Sequence, residues 1–185
     1  MASKVQPLRA SLRAFCHQDP LVGIEVGVAD GRNAASLLHH IRELGVLYLV
    51  DPYQAYPEYA DYQQSELDEF LVKAQARVAA ASRHRHAKVV WVRKRFDECT
   101  RADFNEAFAD FIYIDGNHSL EGVKADIRTA LLFIRKPGMI CGHDFAAEGV
   151  HNAVFKVAKA ESKDVVYVAA NPYPDGGHDW WFWVL

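Results

Sequence analysis

Two short stretches carry residue types that can do acid–base or metal chemistry. FIYIDGNHSL ends an apolar run in Asp115 and His118, and MICGHDF ends another in His143 and Asp144. Carboxylates held at neighbouring strand ends suit a hard divalent cation such as Mg2+. An imidazole titrates near neutrality and can take a proton from a substrate. Each residue also has an ordinary reading. Asp115 can cap the next helix, with Glu121 and Asp126 on that helix's solvated face, His118 can belong to a turn, and His143 can be a core histidine. Taken together, with both acids following buried strands, they read as a site.

A second group lies near the start, in Glu25-Val-Gly27-Val-Ala-Asp30-Gly31-Arg-Asn33. Gly27 and Gly31 allow a tight turn and close approach of backbone to a ligand. The helix that follows offers free N–H groups to an anion, and Asn33 at its start either caps it or holds a carboxylate. Asp51 follows the second apolar run, twenty residues beyond Gly31. An acid there accepts hydrogen bonds from both ribose hydroxyls and repels a 2′-phosphate. These features point to an adenosine-containing ligand. NAD is the competitor, but the loop is GxxxG rather than GxGxxG, and Glu25 sits inside the strand.

Positioning these groups requires a sheet. Strands are expected at Val22–Val28, Leu47–Val50, Val89–Val92, Phe111–Ile114 and Met139–Cys141. Helices are expected at Asn33–Leu44, Ser65–Ala81, Arg101–Ala107 and Leu120–Ile134, with Val123, Ile127, Leu131 and Ile134 on one face. Lys136-Pro137-Gly138 is expected to stop the last of these helices. The alternation predicts a doubly wound, mostly parallel α/β sheet, with ligands beyond the carboxyl ends of its strands. The last third differs. A helix over Val150–Ala160 precedes Val165–Ala169, the turn-rich NPYPDGGHD and Trp180–Leu185, which read as an antiparallel hairpin. Residues 21–185 form one expected domain, preceded over 1–20 by an amphipathic helix or lid carrying Leu8, Leu12 and Phe15.

The formal net charge of −3 provides no basic field for nucleic acid or anionic membrane. No apolar run approaches the roughly 18 residues of a membrane-spanning helix. Cys16, Cys99 and Cys141 are odd in number and form no CxxC pair, which fits a reducing, cytoplasmic setting. Cys141 reads as a small buried hydrophobe. Trp180, Trp181 and Trp183 fit either the core or a homo-oligomer contact.

The Glu25–Gly27 segment, Asp51 and the terminal hairpin resemble the class I S-adenosylmethionine-dependent methyltransferases. FIYIDGNHSLEGVKADIRTALLFIRKPGMICGHDF is similar to the segment shared by small members related to the macrocin and mycinamicin sugar O-methyltransferases. The likeness runs from Gly23 to the Trp-rich end. It implies a seven-stranded sheet and S-adenosylmethionine held by Glu25, Gly27, Asp30, Gly31, Asn33, Asp51, Arg95, Phe96 and Asp115. It also implies His118 as catalytic base beside Asp115. Mg2+ or another divalent cation would lie on Asp115 and Asp144, with His143 standing where the sugar enzymes tend to have a second acid. The implied acceptor is the hydroxyl of a small molecule, of sugar or natural-product type. Tyr53, Tyr56, Tyr59 and His178 then either contact that acceptor or cover the cofactor's edge. Two other readings remain: a non-catalytic S-adenosylmethionine- or NAD-binding protein, and a metal-dependent hydrolase using the His/Asp cluster alone.

Overall fold

Apolar alternation builds the sheet. Ile112 and Ile114 of one strand enter one core while Phe111 and Tyr113 enter the other, as the two-residue period of a strand requires. The computed structural model describes residues 20–57, 62–83, 85–105, 107–167 and 178–185. Its elements are β1 (Leu21–Val26), α1 (Arg32–His40), β2 (Leu44–Val50), α2 (Gln64–Ser82), β3 (Lys88–Val92), β4 (Ala109–Ile114), α3 (Leu120–Phe133), β5 (Ile134–Gly142), α4 (Glu148–Ala160), β6 (Val166–Tyr167) and β7 (Trp180–Val184). The expected helix or lid over residues 1–20 falls almost wholly outside the described residues, as do Cys16 and Tyr59.

The sheet order is β3-β2-β1-β4-β5-β7-β6. β1 to β5 run parallel, and β7 runs antiparallel to both β5 and β6. Six of the seven strands have five or more residues, and β6 is a two-residue edge. The doubly wound architecture and its terminal hairpin are thus the ones the sequence leads one to expect. The chain reverses direction of travel across the sheet between β1 and β4, so their carboxyl ends open a crevice.

Each face of the sheet buries its own core. On one face, Val123, Ile127 and Val154 of α3 and α4 pack with Phe96, Phe104 and Phe133 over Ile24, Ile112 and Ile140. On the other, Leu37, Leu38, Ala74 and Val78 of α1 and α2 cover Leu47, Leu49, Phe111 and Met139. The tryptophans belong to these cores. Trp180 is fully buried on the first face, and Trp181 and Trp183 pack against the second. Cys141 is buried, and neither it nor Cys99 forms a disulfide.

Several boundaries differ from expectation for local reasons. α1 stops at His40, four residues early, because β2 already begins at Leu44. The expected helix at Arg101–Ala107 is one 3-10 turn, Arg101–Phe104, ended by Asn105 in the left-handed region. α3 stops at Phe133, so Lys136-Pro137-Gly138 lies within β5, where the pairing with β4 shifts register. No helix among the described residues is long and apolar enough to cross a membrane.

Candidate active site

A cavity of about 260 Å³ opens at the carboxyl ends of β1, β2, β3 and β4. Gly27, Asp51, Phe96, Asp115 and Asp126 are among its walls. The loop after β1 shapes its floor. Gly27 has φ of 79°, and a Cβ there would fall against the backbone carbonyl of Asp115. Gly31 is left-handed too, and its missing side chain makes room for Ala74 of α2. Both glycines therefore serve close packing of the loop against neighbouring elements, and only Gly27 also lines the cavity.

Asp51 ties the loop down. One of its carboxylate oxygens accepts from the N–H groups of Val28 (2.9 Å) and Ala29 (3.1 Å), and the other from that of Tyr53 (2.8 Å). Burial pushes its pKa up, and these three amides oppose the shift. A carboxylate has about four lone-pair positions, so acceptor capacity remains on the cavity side. Tyr53 is buried, donates its hydroxyl hydrogen to the carbonyl of Ala29 and holds the loop, so it is no acceptor contact. Tyr56 does line the cavity, under the Arg95 guanidinium.

The other expected cofactor residues divide. Arg95 and Phe96 line the cavity, with Arg95 paired to Asp97 at 2.8 Å. Asp30 lies outside the lining and is held by Arg32 and Arg77, which keep its carboxyl below the usual range. Glu25 is fully buried, and Asn33 donates to its Oε1 at 3.3 Å. Asn33 thus holds a carboxylate, the second of its two expected roles. Burial, with Asp115 and Asp51 nearby, raises the Glu25 pKa well above the usual carboxylate range. Glu25 Oε2 and Asn33 Oδ1 are buried acceptors with no hydrogen-bond donor among the described residues. Neither residue lines the cavity itself.

Next to this cavity stands the His/Asp cluster, joined to it through Asp115. His118 Nε2 lies 3.1 Å from Asp144 Oδ2 and 3.7 Å from Asp115 Oδ1. His143 Nδ1 lies 3.2 Å from Asp144 Oδ1 and 4.0 Å from Asp115 Oδ1. β4 and β5 are adjacent, which brings the two strand ends together. Asp115 does not cap α3; that role falls to Ser119, whose hydroxyl accepts from Gly122 N–H at 3.1 Å. Gly149 at the start of α4 leaves room for the His118 carbonyl, where a Cβ would clash. Asp144 itself has φ of 55°, a left-handed geometry unusual outside glycine that turns the chain sharply after β5. His178 contributes its carbonyl to the N–H of Phe145 and is not among the residues lining the cavity.

Asp115, His118 and Asp144 each offer a ligand atom, all within 4.8 Å of one another. Two carboxylates and an imidazole fit a divalent cation by chemistry and spacing. The imidazole moves the preference from Mg2+ toward Mn2+ or another transition ion.

The residue overlooked by pattern reading is Asp126. It lines the cavity rather than a solvated face. Burial and the nearby Asp97 charge push its pKa up to about 7, against the pull of Arg95. The same α3 position reads as solvent-facing from helical periodicity. The turn Phe96–Glu98, packed against α3, and Gly116 after β4 lie beside it.

A parallel sheet with a reversed last strand, a cofactor-sized cavity at the β1/β4 crevice and an acid–imidazole cluster beside it define a class I S-adenosylmethionine-dependent methyltransferase. A family model described as "Methyltransferase domain" matches residues 24–145, and the chain belongs to that family. No curated protein matches it in sequence. Solved structures agree in fold. SMU.1697c of Streptococcus mutans, in complex with SAH, has a TM-score of 0.66 at 10% identity, over 100% of this chain and 99% of that one. An rRNA methylase from Streptococcus thermophilus gives 0.64 at 11% identity, over 100% and 99%. CalS11, a TDP-rhamnose 3′-O-methyltransferase of calicheamicin biosynthesis, gives 0.58 at 14% identity, over 96% and 77%.

Proposed function

We propose that this methyltransferase moves a methyl group from S-adenosylmethionine to the hydroxyl of a small molecule, with His118 as general base. The observation that carries the reading is the position of Asp115, which lines the cavity and also faces His118 Nε2 at 3.7 Å. A cofactor lying in the cavity with its ribose toward Asp51 brings its sulfonium end to the edge where the base stands. When bound, the sulfonium supplies an electrophilic methyl carbon.

The chain's contribution is then positioning and proton transfer. With that group bound, His118 Nε2 would take the proton of the acceptor's hydroxyl as its oxygen accepts the methyl group. The Asp144 carboxylate, 3.1 Å from that same nitrogen, would stabilise the imidazolium once the proton is taken. Asp115 and Asp144 would hold a divalent cation, with His143 behind them, where it would favour the alkoxide form of the acceptor. Glu25 and Asn33 present the buried acceptors suited to the ammonium at the methionine end.

A net charge of −3 favours a small acceptor over RNA, whose binding draws on lysine and arginine contacts to phosphates. The sugar O-methyltransferase CalS11 shares the fold, which is consistent with a sugar or natural-product hydroxyl. Free Cys99 and Cys141 fit a reducing, cytoplasmic setting.

Titration calorimetry with S-adenosylmethionine and with NAD+ tests the cofactor, followed by assay of S-adenosylhomocysteine release with a panel of hydroxylated acceptors. Binding of NAD+ alone would overturn the reading. Cofactor binding without turnover on any acceptor would leave a non-catalytic binding protein in its place.

A further inference from the structure

β3 closes one side of the sheet, pairing with β2 and with no other strand among the described residues. The Val92 carbonyl accepts from the N–H of Asp51, just after β2, at 3.2 Å, which shows how the backbone groups of β3 point. Successive residues of a strand turn their N–H and C=O groups to opposite edges. Lys88 and Val90 therefore face β2 with Val92, while Val89 and Trp91 present theirs outward. The side chains also fit an incomplete edge. Val89, Val90 and Trp91 pack against the two cores but are only half-buried. Such an edge is a template on which another chain can add a strand.

Charge sets this edge apart from the rest of the molecule. Residues 83–95 hold six of the chain's 21 lysines and arginines and none of its 24 acids, in a protein of net charge −3. Lys94 and Arg95 are neutralised by Asp103 and Asp97. Arg83, Arg85, Lys88 and Arg93 form no ion pair among the described residues. Arg85 and Arg93 donate to the carbonyls of His39 and Pro52, which leaves their charges uncompensated. Four cations thus flank the outward backbone of a five-residue strand, with Arg83 and Arg85 before it, Lys88 at its start and Arg93 directly after it.

These features discriminate among occupants. Two copies joined edge to edge would bring the cations against one another, and like charges across a strand pair are destabilising. A phosphodiester strand would satisfy the cations but would set its oxygens against the outward carbonyls of Val89 and Trp91, with no donor between them. An extended acidic peptide supplies donors and acceptors for the backbone and carboxylates for the cations. We propose that the free edge of β3 binds an acidic, extended segment of a partner protein, which adds as a further strand beyond β3. The inference goes beyond the transfer reaction and is independent of the acceptor's identity.

The test measures, by fluorescence anisotropy, binding of a synthetic peptide of alternating glutamate and valine, about eight residues long, to the intact chain. Saturable binding is expected, weakening as salt rises. Val89→Pro removes an outward N–H and keeps the bonds to β2, so it is expected to weaken the peptide at least about tenfold. The double variant Arg83→Glu, Lys88→Glu is expected to weaken it by at least about tenfold too. The same peptide with every amide N-methylated keeps its charges and loses its donors. It is expected not to bind the wild type, and it decides the matter if Val89→Pro does not fold. The assignment is overturned by absence of saturable binding, by unchanged affinity in either variant, or by equal affinity for the methylated peptide. Tighter binding of an oligouridylate of equal charge overturns it in favour of a nucleic acid. A dimer in light scattering that Val89→Pro dissolves overturns it in favour of a second copy.

Discussion

His118 Nε2 lies 3.1 Å from Asp144 Oδ2, so the imidazole that follows β4 is held by the acid that follows β5. Removal of the ring should therefore cost chemistry rather than cofactor binding. His118→Ala is expected to lower kcat by roughly 10²–10⁴, the usual range for a lost general base, with S-adenosylmethionine affinity within about twofold of wild type. Full turnover in that variant would exclude His118 as the base.

The same nitrogen also faces Asp115, and a ligand to a cation cannot simultaneously take a proton on that atom. Thermal denaturation in Mn2+ and in Mg2+ separates the two roles. A cation at a hundredfold excess over its Kd stabilises the fold by about 2.7 kcal/mol. Asp144→Asn is expected to abolish that shift. His118→Ala is expected to keep it if the ring is a base, and to lose it if the ring is a ligand. Turnover undiminished by EDTA would remove the metal from the proposal.

Buried Glu25 connects the cofactor site to pH-dependent stability. Its carboxyl binds a proton more tightly in the folded chain than in the unfolded one. Above the unfolded value, the unfolded state has released that proton while the folded state retains it, so stability falls as pH rises through this interval. Glu25→Gln is expected to be about 1–3 kcal/mol more stable than wild type at pH 7.5 and equal to it at pH 4, read from urea unfolding without cofactor. The same variant should bind S-adenosylmethionine more weakly, having exchanged one of the acceptor oxygens proposed to face the ammonium for a donor. A variant destabilised equally at both pH values would contradict this account.

Gly27 combines a left-handed φ of 79° with contact against the Asp115 backbone. Gly27→Ala is expected to lose about 3 kcal/mol by strain and overpacking, with cofactor binding weakened by displacement of the β1 loop. Differential scanning calorimetry and cofactor titration of the one variant measure both effects.

Much of this site is readable along the chain because β strands place chemistry at their ends. Asp51, Asp115, His118 and Asp144 each follow an apolar run, and the order of a doubly wound sheet then puts those ends on one edge. Asp30 is less legible for the opposite reason. It sits in the right loop, but its side chain is held by Arg77 of α2, a pairing across 47 residues that local pattern does not show. Tyr53 looks like a loop aromatic available to an acceptor, whereas its left-handed backbone turns the ring into the second core. Asp126 fails to appear because helical periodicity separates apolar from polar faces, and a polar residue enclosed by another segment looks the same as an exposed one.

Trp180 donates its indole hydrogen to the His143 carbonyl at 3.0 Å, and β7 occupies the edge of β5. In a chain made from its N-terminus, β5 is synthesised some forty residues before the strand that pairs with its free side. The wall bearing His143 and Asp144 therefore lacks its supporting neighbour until Trp180–Val184 have been made. A ribosome stalled short of Trp180 would hold a nascent sheet with an open edge, at the place where the finished enzyme sets its acid–imidazole pair.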